Sequence, residues 1–452
     1  MPNQSMAAKL RLFTITWPIF IEVLLQTMMN FADVFMISFI SDGAVAAIGV
    51  VNQIMVLTFV LFNFTAMGSG VVVSQFVGAN KPKDVSITIA NAIVVNLLFG
   101  LFISIIIASF RYPFLSLFNL ESDLMEYGAV YMAIVGGTLF TQAMVITVSS
   151  VLQAMGHTKD VMLVVLAMNV LNIFGNYLFI FGALGVPQLN VTGVAIATMI
   201  SRTLAMFVLF WIVSQRVEIK LTWCDFTKLK SEYLKKILGI GVPAAGEHLS
   251  YNTSQITITF FIMLLGASAM AKKVYTENLM ALITVLSMSI SKGMQIYIGQ
   301  LVGAGEKEAA YHNMFRGLKY GLIFTIIPSI IFAFFGENLM QIFTNKEGII
   351  AGGAMLLVIG IILQPGKTFN LVIISALRAA GDAKFPVMMG ILSMWGISVP
   401  LAYILGVHLE FGLIGVWIAM LVDEWFRGII MLFRWRSRKW EKKALVEAKS
   451  TA

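Results

Sequence analysis

The second half of this chain repeats the first at an offset of about 225 residues. Pro18 and Glu22 return as Pro243 and Glu247, and Gln75-Phe76-Val77-Gly78-Ala79 returns as Gln300-Leu301-Val302-Gly303-Ala304. Leu152-Gln153-Ala154-Met155-Gly156 returns as Leu377-Arg378-Ala379-Ala380-Gly381. Near the end of each half the offset slips to 222, where Gly193-Val194-Ala195-Ile196-Ala197 becomes Gly415-Val416-Trp417-Ile418-Ala419. Each half holds about six apolar runs. An even number of spans gives both halves the same orientation, so an axis along the membrane normal relates them, with a substrate handled between.

Composition makes those runs membrane spans. Of 452 residues, 59% are hydrophobic and 12% charged, whereas a soluble domain carries roughly 25% charged residues. Runs of about 20 apolar residues match the roughly 30 Å of hydrocarbon at 1.5 Å per helical residue. With no water to satisfy the backbone there, they are expected to be helices. The spans are placed near 12–38, 51–77, 87–110, 129–153, 161–181, 191–214, 235–265, 276–302, 314–336, 352–377, 386–406 and 412–435. The fold class is an all-α membrane protein of twelve helices in two pseudo-symmetric six-helix lobes. The expected lobes are 1–214 and 237–452, joined by a linker at 215–236.

The net charge of +8 is distributed in a way that argues against nucleic acid. The N-terminus, alternate loops and C-terminal tail hold 23 of the 31 Lys and Arg residues; the opposite loops hold Arg111, Lys272, Lys273 and Lys346. That bias predicts both termini on the cytoplasmic side of a cell membrane. The tail, Arg434-Trp435-Arg436-Ser437-Arg438-Lys439-Trp440, reads either as an anchor for anionic headgroups or as a solvated helix end. Lys9 and Arg11 before an apolar run resemble a signal peptide, but the run is long and lacks a small-residue cleavage pattern, so a retained first span is expected. The linker suggests a surface-lying amphipathic segment around Phe226–Leu238. The single cysteine, Cys224, falls in this linker and rules out a disulfide within the chain.

Ionisable groups inside the bilayer are expensive and point to function. Here they are Glu22, Asp33, Arg202, Glu247, Lys292, Lys367, Asp423, Glu424 and Arg427. Asp33 stands out. Asn169, Asn172 and Asn176 recur at intervals of three and four and so share one helical face of span five, while Thr198 offers a further oxygen from span six. Asp33, Asn172, Asn176 and Thr198 would form an oxygen-rich site with one formal charge, suited to a proton or a hard monovalent cation; alternatively, the asparagines join helices by hydrogen bonds. Glu22 and Glu247 each follow a proline by four residues. Glu247 reads either as a substrate or proton handler or as the partner of Lys292 or Lys367. Asp423 and Arg427, one turn apart, read as a local ion pair. The 28 methionines fit a tolerant cleft or simple gap filling.

Catalytic signatures are missing from the sequence. His157, His248, His312 and His408 are scattered, no H-E-x-x-H occurs, and there is no phosphate-binding Gly-x-x-x-x-Gly-Lys-[Ser/Thr] loop. The chain is not expected to be an enzyme or to need a cofactor.

Several motifs resemble the multidrug and toxic compound extrusion (MATE) family: Pro18 through Asp33 followed by Ala44-Val45-Ala46-Ala47-Ile48-Gly49; Val77-Gly78-Ala79-Asn80 and its repeat Val302-Gly303-Ala304-Gly305; Asn172-Ile173-Phe174-Gly175-Asn176; and Leu377 through Asp382. The resemblance covers the whole chain in order. It implies a V-shaped cleft between two lobes and export of small organic cations in exchange for H⁺ or Na⁺, with no obligatory protein partner. The family's N-lobe cation site falls on Asp33, Asn172, Asn176 and Thr198, although many members have Asp at the position of Asn176. A second cation site in the NorM-type branch uses a Glu matching Glu247 and an acid matching Lys367; Lys367 and the unusual Lys292 argue against Na⁺ there. Ser38 replaces a common Gly. The alternative within the superfamily is a flippase for an anionic lipid-linked substrate, with Lys292, Lys367 and Arg427 as counter-charges.

Overall fold

A computed structural model describes residues 12–118, 122–218, 226 and 229–446. Among them there is no β-strand. Twelve long helical segments follow one another: α1 Leu12–Ser38, α2 Asp42–Gly78, α3 Pro82–Ser109, α4 122–154, α5 Thr158–Phe181, α6 Asn190–Arg216, α7 Ser231–Leu264, α8 Ala267–Gly303, α9 Lys307–Phe334, α10 Glu347–Ala379, α11 Lys384–His408 and α12 Gly412–Arg436. They correspond one to one with the twelve expected spans. Lys9 and Arg11, Cys224 and most of the linker lie outside the described residues.

By length and apolarity alone, nine of these helices could cross a membrane among the described residues, and ten if α4, bent by 46° between Gly136 and Leu139, counts as one. The two that fall short are α7 and α12. Asp423, Glu424 and Arg427 crowd the middle of α12, and α7 carries the polar run from Glu247 to Gln255.

Local chemistry sets the helix ends. Ser41 caps α2 by accepting from the Ala44 N–H at 3.0 Å. Pro82 occupies the first turn of α3, where a missing N–H costs nothing. The repeat-related stops after α4 and α10 both use glycine at positive φ, Gly156 (+94°) and Gly381 (+91°). In α11 two π-helical turns, Met394–Ser398 and Ile404–His408, flank the segment holding Pro400; proline withholds a donor and the hydrogen-bond ladder re-registers around it.

Contacts divide the chain into two units that change over within α1 and α7. One unit runs from Ile21 to Val242; the other joins the described residues up to Phe20 to the chain from Pro243 onward. The first turns of α7 thus pack with the N-terminal unit. Tyr233 donates to Asp84 Oδ1 at 2.5 Å, and a Cβ on Gly241 would stand 2.5 Å from the Phe64 carbonyl. From residue 231 onward the segment expected to lie along the surface is the start of α7.

In the N-terminal unit α2, α3 and α4 pack together and α5 packs on α6; in the other, α8, α9 and α10 pack together and α12 lies on α10. The tail corrects the sequence expectation. Trp435 and Trp440 stack at 4.2 Å and are fully buried in the C-terminal unit, while Arg434 bonds Asp382 at 2.7 Å and Arg438 pairs with Glu308. The indoles therefore face protein rather than lipid headgroups: burying two stacked rings gains more than leaving them at an interface.

Candidate functional site

In the N-terminal unit the structure brings the four expected residues together. Asn176 Nδ2 donates to Asp33 Oδ1 at 2.9 Å and to Asn172 Oδ1 at 3.2 Å, using both its hydrogens. Asn172 Nδ2 donates to Thr198 Oγ1 at 3.1 Å, and Thr198 donates to the Val194 carbonyl at 3.0 Å. A chain of hydrogen bonds thus runs from α1 through α5 to α6. Gly175 lets α5 and α6 approach closely enough: a Cβ there would lie 2.8 Å from that of Ala197. Asn169, on the same face, donates to the Leu25 carbonyl at 3.0 Å and holds α5 to α1 instead.

Asn172, Asn176 and Thr198 are buried, and Asp33 is half-buried. The Asn176 carbonyl oxygen is buried without a hydrogen-bond partner. A spare acceptor beside a carboxylate is what a proton or a small cation needs. Among the described residues no cationic side chain lies within 4 Å of Asp33. Arg202 acts on it electrostatically from farther away, its guanidinium 5.4 Å from the centre of the Phe59 ring, and Tyr131 is electrostatically coupled to both. The donor set fits a single monovalent charge: one carboxylate, two amide oxygens and a hydroxyl. Among the described residues no group of three or more His, Cys, Asp or Glu could hold a metal.

Glu22 and Glu247 are both buried, and each is bonded by the side chain 131 positions later. Gln153 Nε2 donates to Glu22 at 2.5 Å; Arg378 Nη2 forms an ion pair with Glu247. Gln153 and Arg378 are themselves repeat partners. The partner expected for Glu247 is thereby corrected: Arg378, rather than Lys292 or Lys367, takes it. Arg378 belongs to α10 and is buried, because the helix continues past the apolar run that marked its expected end at 377. Lys292 and Lys367 are half-buried and have no carboxylate within 4 Å among the described residues.

A third cluster lies on α12. Arg427 Nη2 meets Asp423 Oδ2 at 2.9 Å, the expected one-turn pair, and also Glu424 Oε1 at 3.0 Å. Ser393 from α11 donates to Asp423 Oδ1 at 2.5 Å, and Asn370 from α10 donates to Glu424 Oε2 at 2.8 Å. Sequence reasoning did not single out Tyr131, Asn370, Gln153, Arg378 or Ser393. For Gln153 and Arg378 a signal existed, since both lie in a repeated motif.

The repeat shows how the halves diverged. At the 225 offset Asp33 corresponds to Ile258, and at the 222 offset Thr198 corresponds to Met420. Ile258 and Met420 belong to one apolar cluster with Trp417. The place of the N-terminal polar site is filled with hydrocarbon in the second half.

Comparison with known proteins fits this architecture. A profile of the MatE family matches residues 18–178 and 243–404, one match in each half. An uncharacterized transporter, YisQ, of Bacillus subtilis is 44% identical over 96% of this chain and 95% of its own length. A probable multidrug resistance protein NorM of Thermotoga maritima is 27% identical over 94% and 91%. Among solved structures, MATE in the bent conformation superposes with a TM-score of 0.87 at 19% identity over 94% of both chains. A MOP superfamily transporter from Pyrococcus furiosus, described as having a binding pocket of reversed polarity, gives 0.84 at 18% identity over 96% of both.

Proposed function

The chain belongs to the MatE family of multidrug efflux transporters, and from that premise we propose that it exports small amphipathic organic cations across the cell membrane in exchange for protons. The observation that supports this reading is the hydrogen-bonded Asp33–Asn176–Asn172–Thr198 chain with its one carboxylate. Transporters of this family need no cofactor. Protonation needs only the Asp33 carboxylate, whereas Na⁺ needs several oxygens turned toward it at once. Here Asn172 Oδ1 and Asp33 Oδ1 are already engaged by the Asn176 amide. Asp33 would hold the proton, Asn176 would accept from or donate to it according to its charge state, and Arg202 would temper the charge when the proton leaves.

The test is ethidium movement in proteoliposomes under either an imposed pH gradient or an imposed Na⁺ gradient. Uphill movement is expected with the pH gradient alone, and Asp33→Asn should abolish it while leaving the protein folded in the bilayer. Transport that survives collapse of the pH gradient and stops on removal of Na⁺ would assign the coupling to Na⁺. Normal uphill transport by Asp33→Asn would overturn the role of Asp33.

A second reading has its own observation. Lys292 and Lys367 are half-buried in the C-terminal unit with no carboxylate within 4 Å among the described residues. Two amines so placed suit an anionic organic or lipid-linked substrate. Competition of ethidium export by an anionic amphiphile, lost in the Lys292→Gln/Lys367→Gln double variant, would favour it.

A further inference from the structure

We propose that Asp423 and Glu424 form a second proton-binding site, in the C-terminal unit, which takes up one proton between them. It draws on none of the groups around Asp33. Both carboxylates contact the same nitrogen, Arg427 Nη2, at 2.9 and 3.0 Å, so their contacting oxygens are no more than about 6 Å apart, within the range where like charges oppose joint ionisation. Both are buried, and two negative charges face one positive. Arg378 does not make up the difference, since it is engaged by Glu247. Lys367, on the helix packed against α12, lies within 4 Å of neither carboxylate among the described residues. A surplus carboxylate in such a place is best relieved by a proton.

The surroundings are built for either charge state. Ser393 Oγ, 2.5 Å from Asp423 Oδ1, can donate to a carboxylate or accept from a carboxylic acid. Asn370 donates through Nδ2 to Glu424, while its own Oδ1 is buried with no partner. The amide is anchored to Glu424 through its nitrogen, and the free oxygen is the other corner of the same planar group. A half-turn of the amide would present Oδ1 to a protonated Glu424. The Nε of Arg427 is also buried and unpartnered. Arg427 already occupies the space between the two carboxylates where a metal cation would have to sit, which favours a proton over Na⁺.

Other groups around the cluster are accounted for. From α7, Tyr251 and Glu247 act on it electrostatically, and Glu277 of α8 acts on Tyr251. From α10 comes Asn370, with Lys367 one turn before it and Arg378 two turns after it on the same helix. From α11 comes Ser393, the titratable residues of that helix, Lys384, Tyr403 and His408, standing towards its ends. At the 222 offset Asp423, Glu424 and Arg427 correspond to Ser201, Arg202 and Ala205, so the first half has no equivalent cluster and carries the opposite charge at one of its positions.

The experiment is pH-difference infrared spectroscopy of the purified, reconstituted Asp33→Asn protein, reading the C=O stretch of protonated carboxyl groups above the range where exposed carboxylates titrate. A titrating band is expected despite the loss of Asp33, and it should vanish when Glu424→Gln or Asp423→Asn is added. Asn370→Ser and Ser393→Ala keep every charge in place and are expected to shift the band by changing the hydrogen bond to the protonated group. The absence of any titrating band in Asp33→Asn would overturn the proposal. So would a band that neither conservative variant shifts, even if the charge-removing variants fail to fold. Because Asp33 is absent throughout, either result leaves the first site's assignment to its own test.

Discussion

Glu247 and Arg378 form a buried pair whose loss on one side is costlier than its loss on both. Arg378→Ala would strand a buried carboxylate, at a cost of about 3–5 kcal/mol. The first half already contains a solution with less charge, because Gln153 serves Glu22 where Arg378 serves Glu247. Arg378→Gln would copy that arrangement and should lower the melting temperature of the detergent-solubilised protein clearly less than Arg378→Ala; equal losses would show that the amide cannot replace the guanidinium. At the other site, Asn176→Asp would place a second carboxylate beside Asp33. The Coulomb attraction for a cation rises accordingly, and export by this variant should become dependent on Na⁺, read as ethidium efflux with and without Na⁺ at a fixed pH gradient. The ionisable residues of these sites were legible in the sequence because charge within an apolar run is conspicuous. Arg378 was hidden because hydropathy marks the edge of the hydrocarbon, not the end of a helix. Here the helix runs on until Gly381 takes positive φ. Asn370 and Ser393 were hidden for a different reason: neutral polar residues are ordinary in a span until a carboxylate is seen beside them.

At the scale of helices, the N-terminal site depends on how closely α5 meets α6. Gly175 sits in the same turn as Asn172 and Asn176, and its missing side chain lets Ala197, next to Thr198, come against the α5 backbone. Gly175→Val would force the helices apart and break the 3.1 Å bond between Asn172 and Thr198. The expected outcome is a large loss of uphill export with a modest loss of stability, partly restored by Ala197→Gly in the same protein. If Gly175→Val exports normally, the Asn172–Thr198 link is not needed for coupling. The asparagine stripe was readable from its spacing of three and four. The need for a small residue opposite Ala197 was not, because nothing in a single helix shows which face its neighbour approaches. The π turns of α11 escaped for a similar reason: Pro400 signals a disturbed ladder but not where it re-registers.

For the whole molecule, the repeat and the distribution of charge together predict a single orientation, and one residue can report it. Twelve crossings, an even number, would put the N-terminus, the segment between α6 and α7 and the C-terminus on one side of the membrane. The same side would hold most of the Lys and Arg, although Arg378, expected there, proves to be a buried partner of Glu247. Removing one residue from a count of 23 leaves the bias against four intact, and with it the expectation of a cytoplasmic linker. Cys224 is the only cysteine of the chain and falls in that linker, so the natural sequence is already a single-cysteine reporter. A membrane-impermeant maleimide should label it in inside-out vesicles and fail to label it in intact cells until the membrane is permeabilised. Labelling in intact cells would invert the topology. It would also put Asp33 nearer the cytoplasm than the outside, and a proton driven inward by the gradient would then meet that carboxylate late in its path rather than early.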